Sequence, residues 1–232
     1  MDRPLNGDPI KAGKSDHRFP FLFGTFFPAA KMEANMRDII KTERLTLRQL
    51  TLEDAPALSR LVSDYDISRM TGSFPYPLPL LSAEFRIMYL RARRRQRLAY
   101  PYAITRNGGE LMGMADLFRD SPDAVLEIGY WTGKPFWGQG YVSEAARAII
   151  DEARTQLGAK SIVAGAFSDN PASLRVLKKL GFVPTGETQM YFSMGRMEKA
   201  HSLSFHLNID ASKETPNKRQ PLRSGSNIVM RA

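Results

Sequence analysis

The sequence predicts a mixed α/β fold: one central sheet with helices on both faces. Three observations carry this. A β-branched and aromatic run at 125–131 leads through a glycine loop at 133–140 into a helical pattern that starts at Val142. A second strand-then-helix pair follows at 161–180. Two further strand-like runs flank Asn107-Gly108, a strong hairpin signal. Strands interleaved with amphipathic helices bury both sheet faces, and the hairpins make the sheet mixed.

The chain has 232 residues, which suits one domain with tails, and its 43% apolar content is enough for a core. It has no cysteine, which excludes disulfides, thiolate metal sites and a Cys nucleophile. With three histidines, a His-rich metal site is not expected, and no metal is assigned.

Residues 1–40 read as an N-terminal extension, irregular or disordered. Residues 19–30 are apolar and follow Lys11, Lys14 and Arg18, which imitates a signal peptide. The run is too short to span a bilayer, and Pro20 and Pro28 break it. Asp8 and Asp16 dilute its basic flank. The other reading is translation from Met32 or Met36. The domain is expected over 41–210, and 211–232 reads as a polar, basic, disordered tail. Much of the net charge of +9 lies outside the domain: residues 43–210 hold 21 basic and 18 acidic side chains. Basic tails solvate a protein, or attract acidic partners such as ribosomal RNA.

Within the domain, residues 42–50 alternate with Leu45 and Leu47 on one face, as a strand does. Thr51 and Asp54 make a capping-box pattern, and the helix after it turns Leu58, Leu61 and Val62 inward. Residues 72–79 hold three prolines at alternate positions and cannot be regular structure. A second helix carries the apolar residues Phe85, Met88 and Leu90 and ends in the basic run 91–97. That run reads as a solvated helix end, where cations suit the dipole. A nucleic-acid patch is the competing reading, but no aromatic platform is interleaved, so nucleic acid is not expected as a partner. Strands follow at 99–105, 110–118 and 125–131, then a helix, a strand at 161–167, a second helix, and a final hairpin of 189–194 with 202–207.

The chemistry concentrates where strand 125–131 meets its helix. Val142, Ala145, Ala146, Ile149, Ile150, Ala153 and Leu157 form one helical face. The first turn of a helix has amides without partners and partial positive charge. Gly138 and Gly140 remove side chains that would keep a phosphate away, so a diphosphate would sit on the amides of Gly138, Gln139, Gly140, Tyr141, Val142 and Ser143. The pattern is neither Gly-x-Gly-x-x-Gly nor Gly-Lys-Ser/Thr. Taken alone, it also fits a helix entered through a flexible turn. In the second helix, Asn170 is a good N-cap, Pro171 suits the first helical position and Gly181 suits the stop.

Together the two stretches resemble the GCN5-related N-acetyltransferase family. Pro135-x-x-Gly138-x-Gly140 lies where that family carries its Arg/Gln-x-x-Gly-x-Gly/Ala loop. Asn170-x-x-Ser173 with Leu177-x-Lys179-x-Gly181-Phe182 is similar to its Asn-x-x-Ala-x-x-Leu-Tyr-x-Lys-x-Gly-Phe segment. Residues 137–145 and Asn170-x-x-Ser173 resemble the branch of ribosomal-protein alanine N-acetyltransferases. The resemblance covers residues 41–207. Pro135 departs from the loop's Arg/Gln, and Leu177 departs from the Tyr that often serves as general acid.

The resemblance implies acetyl-CoA as co-substrate. It would be held by Tyr130, Trp131, Pro135, Trp137, Gly138, Gln139, Gly140, Tyr141, Val142, Ser143, Asn170 and Ser173, with backbone amides of 127–131 along the pantetheine arm. It implies direct attack by an amine, a cytoplasmic location, no membrane partner, and a monomer or homodimer. Glu127 is the candidate base, an acid that shares a strand face with Gly129 and Trp131. A solvated or paired carboxylate is the plainer reading, and Asp116 is the reserve. Ser173 is the candidate acid, near the start of its helix. Capping by Asn170 and Ser173 is the competing reading, and both roles can hold together.

The acceptor is the open question. An α-amine titrates near ~7.7–8.0 and a Lys ε-amine near ~10.4. A site without His in its motifs and without Tyr at 177 manages the α-amine more readily. The expected acceptor is therefore a protein or peptide N-terminus, with a small-molecule amine as alternative. A non-catalytic acyl-CoA-binding module is the reading from another class, and it rests on Leu177 and Pro135.

Overall fold

The computed structural model describes residues 35–210. The expected extension up to residue 34, with its signal-like run, and the expected tail 211–232 lie outside the described residues.

The described residues open with two short strands, β1 (Ile39–Lys41) and β2 (Thr46–Arg48). The helices α1 (Ala55–Val62), α2 (Tyr65–Ser68) and α3 (Leu80–Arg95) follow. Three strands come next: β3 (Ala99–Thr105), β4 (Leu111–Phe118) and β5 (Leu126–Thr132). After them come α4 (Tyr141–Leu157), β6 (Ser161–Phe167), α5 (Pro171–Leu180), β7 (Val183–Ser193) and β8 (Glu198–Asn208). The eight strands form one sheet in the order β1-β2-β3-β4-β5-β6-β8-β7. Every neighbouring pair is antiparallel except β5 and β6.

Each face of the sheet has its own core. Under α4 and α5, Leu47, Tyr102, Ile104, Leu117, Leu126, Ile128 and Ile162 pack against Ala145, Ile149, Ala153 and Leu177. Under α1 and α3, Ala103, Met114 and Trp131 pack against Leu58, Val62, Phe74, Ile87 and Leu90. Alternate residues of one strand serve opposite cores, as the pleat requires. The α4 stripe is buried at Ala145, Ala146, Ile149, Ile150 and Ala153, with Val142 and Leu157 half-buried at its ends, as its period of 3.6 demands. The β3–β4 hairpin turns at Asn107 and Gly108, whose φ values of 54° and 74° are those of a type I′ turn.

Four expectations need correction. The boundary at residue 40 falls inside β1, and Met36 and Ile40 are core residues. A three-residue strand shows no alternation to read; β2 supplies its order. The buried face of α3 is Ala83, Ile87, Leu90 and Arg94, while Phe85 and Met88 are exposed. The basic run is not wholly solvated. Arg94 is 6% exposed, lies over the rings of Tyr100 and Tyr102, and donates to the carbonyls of Met36 and Arg37. Its long stem and flat head pack like an aromatic side chain while its N–H groups find acceptors. Finally, β7 and β8 run 11 residues each, longer than 189–194 and 202–207. The added residues of β7 are exposed; Val183, Pro184 and Thr188 pair with β8, and Thr185, Gly186 and Glu187 bulge out between them.

Candidate active site

Helices α4 and α5 begin differently. The loop into α4 makes one tight turn at Lys134–Phe136, then passes Gly138 (φ 73°) and Gly140 (φ 78°). An L side chain would be strained at both φ values. Gly140 is the N-cap, and no side chain caps the helix. The amides of Tyr141, Val142 and Ser143 therefore await an acceptor. At α5, by contrast, Asn170 Oδ1 accepts from the Ser173 amide at 3.0 Å.

The α4 loop is fastened on all sides. Trp137 Nε1 donates to Thr132 O at 2.7 Å, and Gln139 Nε2 to Pro135 O at 3.0 Å. Lys134 Nζ pairs with Asp64 at 3.0 Å and Asp66 at 2.7 Å. Tyr141 is buried between Arg44 and Arg106, each over its ring, and Arg106 donates to its hydroxyl. Arg44 donates to Gln139 O at 3.0 Å and pairs with Glu144 at 2.7 Å. Tyr141 and Ser143 are buried, so they offer backbone amides rather than side chains.

Beside that loop the sheet opens. β5 pairs with β6 only at Leu126↔Ile162 and Glu127↔Val163. β5 continues to Thr132 and β6 to Phe167 without pairing further with each other, although β5 stays paired with β4 and β6 with β8 over that length. The β6-facing edge of residues 129–132 is thus free to bind an amide-bearing ligand. Tyr130 and Ser173 meet across the opening, hydroxyl to hydroxyl at 3.1 Å. Burial pushes the Tyr130 phenol up to about 12, against the Ser173 hydrogen bond. Leu177 is 1% exposed and belongs to the core, so it does no acid–base chemistry.

The opposite face of the sheet carries the acids, Glu127 on β5 and Asp116 on β4. Glu127 is half-buried, and a methyl group on Gly165 would come within 3.6 Å of its Oε1. Burial, with Asp120 adding, pushes its carboxyl up to about 6. Asp116 is 6% exposed and leans over Gly129, where a methyl group would lie 2.7 Å from Oδ1. Burial pushes Asp116 up to about 7; Arg86 opposes this and Glu127 adds to it. The glycines at 129 and 165 give the two carboxyls a floor without side chains.

The sequence reading did not single out Arg86. It projects from α3, donates to Ser73 Oγ at 2.9 Å and lies 5.1 Å above the Phe74 ring. Burial lowers its guanidinium from the ordinary value. The signal was present, since Arg86 sits three residues after Ala83 and directly before Ile87 on the inward face. Tyr191 of β7 faces the same region. Its ring would meet a methyl group on Gly72, and Glu127 and Arg86 both act on its phenol.

Residues 44–183 match the sequence profile described as acetyltransferase (GNAT) domain. The chain is 30% identical over 156 residues to the N-acetyltransferase p20 of Bacillus licheniformis, covering 66% of this chain and 87% of that relative. It is 33% identical over 78 residues to the ribosomal-protein-serine acetyltransferase of Escherichia coli, covering 33% of this chain and 44% of that one. Among solved structures, the RimL ribosomal L7/L12 α-N-protein acetyltransferase in complex with coenzyme A aligns with a TM-score of 0.66 at 22% identity. The alignment covers 75% of this chain and 99% of that chain. At that identity the likeness is one of fold.

Proposed function

The chain belongs to the GNAT acetyltransferase family and is an N-acetyltransferase; from that premise we propose that it moves acetyl from acetyl-CoA to the α-amine of a protein or peptide N-terminus, in the cytoplasm. The observation that carries the reading is one strand with two uses. The free edge of β5 runs toward the uncapped start of α4, and its outer face holds a half-buried carboxylate.

The residues fit the co-substrate. Amides from Gly138 to Ser143 would hold the diphosphate, and the open edge beyond Glu127 the pantetheine amides. Pro135 brings no side-chain donor to the phosphates, so the backbone does that work. When bound, acetyl-CoA supplies a thioester carbonyl, which needs no protein nucleophile. Glu127 takes the proton from the acceptor ammonium. Its carboxyl, up to about 6, is mostly ionised at neutral pH yet more basic than an ordinary carboxylate. The Tyr130 phenol keeps its proton throughout that range, and with Ser173 it supplies the donor that Leu177 does not.

The acceptor follows from acid–base arithmetic. At pH 7 roughly one α-amine in ten is already neutral, against fewer than about one Lys in a thousand. The difference is about 3.4 kcal/mol of deprotonation. A single modest base suits the α-amine. The names of the E. coli relative and of RimL describe enzymes that act on ribosomal proteins, which supports a protein acceptor. The loop 72–79 would wall the acceptor site, since Phe74 packs on Trp131. The test is thiol release from acetyl-CoA with two peptides, one with a free N-terminus and one N-blocked but carrying Lys. The free N-terminus is expected to react faster; preference for the Lys peptide overturns the proposal.

A further inference from the structure

We infer that the acceptor is an α-amino carbonyl compound, gripped at its amine by Asp116 and Glu127 and at its carbonyl oxygen by Arg86 Nε and Trp131 Nε1. The inference rests on the reading above, in which the acceptor amine meets Glu127.

Among the described residues, two buried donors in this region have no hydrogen-bond partner: Arg86 Nε and Trp131 Nε1. Both border one ring. Phe74, 3% exposed, stands edge-on to Trp131 with centroids 5.9 Å apart and lies 5.1 Å beneath the Arg86 guanidinium. A buried donor without an acceptor is costly, and native structures keep few of them. On the sheet below, Asp116 is buried too, and among the described residues no hydrogen bond or ion pair reaches its carboxylate. Arg86 influences Asp116 electrostatically yet does not touch it. Opposite charges buried near each other without contact are unfavourable unless something completes them. A ligand that carries a cationic amine and an oxygen acceptor two bonds apart satisfies both sets at once. A plain alkylamine satisfies only the carboxylates. The α-amino carbonyl unit occurs in a peptide N-terminus, with an amide oxygen, and in a free amino acid, with a carboxylate.

The experiment measures kcat/KM for three acceptors: a tripeptide amide, free alanine and propylamine. It uses the wild type, Arg86→Gln and Trp131→Phe, with acetyl-CoA affinity of Arg86→Gln as the folding control. The ratio of tripeptide amide to propylamine is expected to fall roughly tenfold in Arg86→Gln, mainly through KM, and by less in Trp131→Phe. If alanine rather than the tripeptide amide is the better acceptor and shows the same loss, the oxygen is a carboxylate. An unchanged ratio in both folded variants overturns the inference and leaves the acetyltransferase reading standing. If the wild type acetylates none of the three, the acceptor reading falls and this inference falls with it.

Discussion

Leu126, Ile128 and Tyr130 on one face of β5 live differently from Glu127, Gly129 and Trp131 on the other. The first three pack against α4 and α5, and their one polar group, the Tyr130 hydroxyl, is bonded to Ser173. The second three include a carboxyl pushed up by burial, a bare glycine and an indole N–H without a partner. The same seven-residue strand thus has a face optimised for folding and a face that gives up stability to hold polar groups ready. Mutations that separate stability from turnover test whether the division is real.

The largest effect should come from the folding face. Ile128→Ala deletes buried carbons under α4, and about 2–5 kcal/mol of stability should be lost in denaturant unfolding. If turnover of the remaining folded protein falls in proportion, the two faces are not independent. Next, Glu127→Gln should leave the unfolding midpoint unchanged or raised. It should cut turnover about 100-fold near neutral pH, and by less at high pH, where the amine is already neutral. Normal turnover across pH would return Glu127 to a structural role.

The last test of the division is the pH dependence of stability. Asp116 and Glu127 hold protons in the folded state up to about 7 and about 6, whereas unfolded carboxyls titrate near ~4. The folded state therefore binds more protons between ~4 and ~7. Their contribution is fully present below that window and is lost as pH rises through the folded values. Asp116→Asn should flatten this decline between pH 5 and 8 in thermal melts. A decline as steep as in the wild type would mean that other groups cause it.

What was legible in the sequence was local. Asn170, Pro171 and Gly181 mark both ends of α5 by themselves, and the α4 stripe follows from spacing alone. The glycine loop and an acid on an apolar strand were visible for the same reason, because each signal lies within a few residues. Less was visible where distant residues decide. Arg94 is buried because Tyr100, Tyr102 and the carbonyls of Met36 and Arg37 receive it. Arg86 matters because Phe74 and Asp116 approach it from other elements. Phe85 and Met88 are apolar but exposed, so hydrophobicity alone misassigned the inner face of α3.

The strand order has a consequence for how the protein is made. Among the described residues β8 is the last strand in sequence, yet it lies between β6 and β7. Until residues 198–208 leave the ribosome, β6 has an unpaired edge and β7 has nothing to pair with. A nascent or truncated chain would carry two preformed cores around a raw strand edge, the kind of surface that recruits other chains. Premature stops after α5 should therefore give aggregates rather than soluble, partly active fragments. Quality control during translation, more than catalysis, would then set how far the β7–β8 stretch tolerates change.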